Sequence, residues 1–244
     1  MVWLLVALGS LLGGIATVTL IGAALLLGLP LRWLRNLLSV AVGTLLGIAF
    51  LGLLPEALAN LGPGIAPTLM LAALLGFFVL EKLLIYHHCH QGECDPRVHA
   101  PVLIVVGDAV HNTVDGVAIG AAFVVSPPLG FATALAVALH EVPQELGDYA
   151  VLIEGGLEPG RAFLWNLASA LPTLPAALLA YWALSTAEAA VPYLLVLGAG
   201  AFTYVALADL VPLLHRTGSR PQNIIQTGLV FLGVAVIWLL EAVL

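Results

Sequence analysis

Charge is what this chain has least of. Charged side chains make up 9% of its 244 residues, against roughly 25% in an ordinary soluble domain, too few to cover a water-facing surface. Seven bases against fourteen acids give a net charge of −7, which leaves no basic patch for a phosphate backbone and excludes nucleic acid as a partner. Two cysteines, Cys89 and Cys94, are too few for a disulfide scaffold. No basic residue precedes the apolar run that starts Met1-Val2-Trp3-Leu4-Leu5, so this segment reads as a first membrane span and not as a cleaved signal peptide. Hydrocarbon fills the chain instead. Hydrophobic residues reach 61% and the mean hydropathy is +1.11, which excludes a soluble enzyme and a disordered tail.

A membrane-crossing helix needs about 20 mainly apolar residues. Gly, Pro and charge divide the chain into eight such runs: 3–28, 37–58, 66–86, 100–125, 129–153, 162–184, 191–213 and 222–243. The expected fold is an all-α polytopic membrane protein with eight transmembrane helices in one domain, residues 1–244, in contact with the lipid bilayer. Barrel strands would alternate in polarity over about ten residues, whereas these runs are continuous. Only the stretch at about 85–100 is long and polar enough to be a loop with its own chemistry. Basic residues concentrate on the cytoplasmic side of membranes, and all seven here fall at alternate connections: Arg32 and Arg35, Lys82 and Arg97, Arg161, Arg216 and Arg220. That pattern places both termini outside and the 85–100 loop in the cytosol, where its cysteines stay reduced. The short termini point to a bacterial inner membrane. Gly43 precedes Pro55 by twelve residues and Gly200 precedes Pro212 by twelve. The second and seventh spans run in opposite directions, as an inverted repeat requires.

Ionisable groups inside a bilayer cost several kcal/mol each and usually mark a substrate path. The fourth span holds Asp108, His111, Asn112 and Asp115, and the fifth holds His140, Glu141, Gln144, Glu145 and Asp148. His111 and Asp115 share one helix face, with Asp108 one turn before them. His140 and Gln144 form a stripe on the fifth span beside a second stripe of Glu141, Glu145 and Asp148. Pro143 is expected to bend that helix. Imidazole with carboxylate suits Zn²⁺ and, with more oxygen, Fe²⁺ or Mn²⁺. Two other uses of these residues stand beside metal binding: a hydrogen-bonded interhelical seam and a metal-free proton relay. The run His140-Glu141-Val142-Pro143-Gln144 also invites an intramembrane zinc protease, but that motif needs a second His at the fifth position, where Gln144 stands. Asp209, a charge in the seventh span, joins the candidates. Glu56 lies at the outer end of the second span, placed to attract cations. His87, His88, Cys89, His90, Cys94 and His99 give the cytosolic loop a metal-binding composition without a fixed spacing.

The runs His111-Asn112-Thr113-Val114-Asp115-Gly116 and His140-Glu141-Val142-Pro143-Gln144-Glu145-Leu146-Gly147-Asp148 resemble the signature helices of the ZIP (Zrt-, Irt-like protein) metal-transporter family. The resemblance covers the whole chain and is strongest to the branch that carries large extracellular domains in animals. It implies a non-enzymatic transporter that brings divalent metal into the cytosol, Zn²⁺ foremost, with Cd²⁺, Fe²⁺ and Mn²⁺ as further candidates, by a rocking or elevator-like motion. It also implies His111, Asp115 and His140 as principal ligands, and Asn112 and Glu141 as contributors to an adjacent second metal. Asp148 resembles an inward-path residue and Asp209 an acidic position of the seventh span. Two departures weigh against a second metal and against high affinity: Gln144 stands where relatives carry His or a bridging carboxylate, and the second span is apolar from Ile48 to Leu54. An exporter of opposite direction is the alternative transport reading, and a homodimer is compatible with either.

Overall fold

The computed structural model describes residues 2–26, 34–86, 96–215 and 220–243, and every regular element among them is helical. Helix α1 (Val2–Leu11) passes through a π-helical turn at Leu12–Ala16 into α2 (Thr17–Leu26). Helix α3 (Leu34–Gly47) passes through a second π-turn, Ile48–Leu53, into α4 (Leu54–Tyr86). The connection expected between 58 and 66 shrinks to a sharp break at Gly62, with φ 79° and ψ 171°. Only glycine adopts that conformation without strain, and Pro63 restarts the helix because its missing N–H is not needed in a first turn.

Helices α5 (Pro96–Val125) and α6 (Pro127–Glu154) form an antiparallel pair. Between them Ser126 caps α6, its hydroxyl oxygen accepting from the Leu129 amide at 3.2 Å. Helix α6 continues through Pro143. The expected sixth span is interrupted: α7 (Pro159–Ala170) stops and α8 (Thr173–Thr186) begins after Leu171-Pro172, since Pro172 cannot donate to the preceding turn. Helix α9 (Val191–Tyr204) continues through a third π-turn, Val205–Leu210, into α10 (Val211–His215), and α11 (Arg220–Val243) closes the bundle.

Among the described residues, five runs are long and apolar enough to cross a membrane: Val2–Leu25, Asn36–Leu80, Pro159–Thr186, Glu188–His215 and Gln222–Ala242. Burial is inverted relative to a soluble protein. Ile224 and Leu20 are 74% and 72% exposed, while Asp115, His140, Glu141 and Glu145 are fully buried. Lipid solvates the outside and the polar groups face inward, so the chain is an integral membrane protein. Lipid tails supply no hydrophobic drive between helices, and close contact depends on small residues. A Cβ at Gly43 of α3 would strike the Val230 carbonyl of α11, and one at Gly116 or Gly120 of α5 would strike the carbonyls of Thr173 and Ala177. The latter contacts hold α5 tightly against α8.

Candidate metal centre

His111 and Asp115 lie one turn apart on α5, and their side chains meet those of His140 and Glu141 on α6. The Nε2 atoms of the two histidines are 3.1 Å apart. Asp115 Oδ2 lies 3.1 Å from His140 Nε2 and 3.6 Å from His111 Nε2, and Glu141 Oε1 lies 3.6 Å from each imidazole. His140 Nδ1 faces the Ala136 carbonyl at 3.1 Å. A carbonyl only accepts, so Nδ1 carries the proton and Nε2 keeps its lone pair directed at the cluster.

A second group adjoins the first. One turn back on α5 and one turn forward on α6, Asp108, Glu141 and Glu145 bring ligand atoms within 4.8 Å of one another, as the first four residues also do. Glu141 belongs to both. Among the described residues no hydrogen-bond donor reaches Asp108 Oδ2 or either oxygen of Asp115, Glu141 and Glu145. Buried polar atoms are nearly always satisfied, and a concentration of bare carboxylate oxygens beside two imidazoles is suited to cations.

Asn112 and Gln144 take other positions. Both donate to Asp108 Oδ1, at 3.2 and 3.1 Å. Gln144 thus turns its amide nitrogen to a carboxylate, and the second imidazole beside His140 comes from His111 on α5 and not from position 144. Asp148 and Asp209 line a cavity of about 330 Å³ together with Asp108, His111 and Gln144. Asp209 reaches it from the π-turn Val205–Leu210. Asn166 on α7 donates to the Glu145 carbonyl at 2.9 Å. Sequence reasoning missed Thr173, whose hydroxyl donates to Asn112 Oδ1 at 2.7 Å; the adjacent Pro172 was the available signal. His87, His88, Cys89, His90 and Cys94 lie outside the described residues, and His99 falls within α5.

The profile of the family described as ZIP Zinc transporter matches residues 86–241, which contain every member of both clusters. The chain belongs to the ZIP family. The family is one of transporters and not of enzymes. Zinc transporter ZIP4 of Mus musculus is 50% identical over 122 residues, which is 50% of this chain and 18% of that protein. Zinc transporter ZIP6 of Homo sapiens is 42% identical over 125 residues, 48% of this chain and 16% of that protein. The matched part is thus less than a fifth of either relative. Zinc transporter ZIP13 of Pongo abelii is 32% identical over 252 residues, 96% of this chain and 77% of that protein.

Proposed function

We infer that this ZIP protein carries divalent metal, Zn²⁺ foremost, into the cytosol through the site between α5 and α6. The observation that carries the reading is the convergence of His111, Asp115, His140 and Glu141 on one buried point, with carboxylate oxygens that no donor among the described residues satisfies. Two nitrogens and two oxygens in tetrahedral number suit Zn²⁺.

The path follows from helix direction. Dividing Asn36–Leu80 at Gly62 and adding α5 and α6, which are long enough but rich in ionisable groups, brings the five apolar runs to eight crossings. With basic residues facing the cytosol, both termini lie outside and the cavity beside Asp148 opens inward. Two of the π-turns favour an inverted repeat, because Ile48–Leu53 and Val205–Leu210 stand at equal distances from the Gly43/Pro55 and Gly200/Pro212 pairs. Metal sheds water near Glu56, binds the imidazole cluster, passes to Asp108, Glu141 and Glu145, and leaves past Asp148 and Asp209.

Zn²⁺ uptake into liposomes loaded with a metal-sensing dye tests this, with Cd²⁺, Fe²⁺ and Mn²⁺ as competitors. His111→Ala and His140→Ala should insert normally and lose uptake, since the remaining ligands cannot replace the hydration of a bare ion. Uptake by His111→Ala equal to that of the wild type would sink the assignment.

A further inference from the structure

Asp108 is held asymmetrically. Its Oδ1 accepts from Asn112 Nδ2 and Gln144 Nε2, while Oδ2 has no donor among the described residues and belongs to the group shared with Glu141 and Glu145. Asn112 is fully buried, and its amide fits in one orientation only. Its nitrogen meets the Asp108 backbone carbonyl and carboxylate, both at 3.2 Å and both acceptors. Its oxygen must therefore face the opposite way, where the Thr173 hydroxyl donates to it at 2.7 Å. Thr173 belongs to neither α5 nor α6. It is the first residue of α8, directly after the interruption at Leu171-Pro172.

The surroundings are shaped to this hydroxyl. Gly14 lies in the π-turn Leu12–Ala16, and a Cβ there would stand 2.9 Å from Thr173 Oγ1 and 3.0 Å from its Cβ. A Cβ on Gly116 would collide with the Thr173 carbonyl. A helix interruption, a π-turn and a close glycine contact thus meet at one residue.

We propose that Thr173 is a positioning residue of the metal path: its hydroxyl fixes Asn112, Asn112 fixes Asp108, and Asp108 then presents its free oxygen to the cation. The proposal rests on the transport reading above and adds a third helix to the site. Thr173→Val keeps the side-chain shape but leaves the Asn112 oxygen buried without a donor. The imidazole cluster makes no use of Asn112, so capture of metal persists while its onward transfer through Asp108 slows.

The test is initial Zn²⁺ uptake by wild type, His111→Ala, Thr173→Val and Thr173→Ser in one lipid preparation. Thr173→Val should lower the maximal rate about fivefold, the worth of one net hydrogen bond, with KM changed less than about twofold. Thr173→Ser restores the donor and should recover the wild-type rate. A double-mutant cycle with Asn112→Ala guards against a general loss of folding: the two changes act through one chain, so the double variant should be no slower than Asn112→Ala alone. Wild-type kinetics in Thr173→Val, an equal loss in Thr173→Ser, or additive losses in the cycle would overturn the proposal. Absent uptake by wild type, or full uptake by His111→Ala, would instead refute the transport reading and this inference with it.

Discussion

Gly120 measures how strictly the metal helices are held. A Cβ at this position would lie 2.8 Å from the Ala180 Cβ and 3.1 Å from the Tyr181 amide nitrogen, with the Ala177 carbonyl closer still, whereas ordinary contact begins at 3.4 Å. None of these atoms is the end of a flexible side chain. Helix α5 must therefore move away from α8 by at least the 0.6 Å separating 2.8 from 3.4 Å, carrying His111 and Asp115 with it. Overpacking of this kind costs about 1–3 kcal/mol, which for a chain of this length corresponds to a melting temperature lower by roughly 5 °C. Thermal unfolding of purified Gly120→Ala in detergent reads the effect directly. Gly76→Ala and Gly228→Ala are the controls, because nothing lies within 4 Å of a Cβ at either; they should melt with the wild type or slightly above it. A Gly120→Ala protein that melts with the controls would refute the claim that backbone contact at α5 and α8 sets the geometry of the site.

Gln144→Ala removes one of two donors to Asp108 Oδ1 and should slow Zn²⁺ uptake a few-fold, about the effect of one lost hydrogen bond, where His140→Ala abolishes it; equal loss in both would show that the amide is itself a ligand. Gln144→His places an imidazole beside Asp108, and equilibrium Zn²⁺ binding should tighten while release slows; weaker binding would contradict this. Single cysteines at Gly64 and Glu188, in a background with Cys89 and Cys94 changed to Ser, should react with an impermeant thiol reagent from outside, and cysteines at Asn36 and Arg220 should not. Labelling of both pairs from one side would refute the eight crossings.

The polar face of α5 is legible in the sequence because His111 and Asp115 are spaced by one helical turn, and charge at that depth is too costly to persist without a partner. The antiparallel register is not, since a sequence does not say that Asp108 lies level with Glu141 and Glu145. The π-turns leave no compositional trace, because the residue each adds to a turn has no signature of its own: two are apolar throughout and the third holds Asp209. Gly62-Pro63 and Leu171-Pro172 are visible as breakers. Periodicity alone does not tell that the first pair turns the chain within one residue, nor that the second interrupts a span and sets Thr173 against Asn112.

Glu141 stands in both ligand groups, and this changes the character of the step between them. An ion held as proposed does not have to be released into hydrocarbon and recaptured. It exchanges partners while one carboxylate remains attached, so the step is a substitution at the metal and not a dissociation. When a second ion arrives, the two must divide a single bridging group, and each weakens the other's hold. Release should therefore quicken once a follower is in place, giving throughput that continues to rise after the first site is filled.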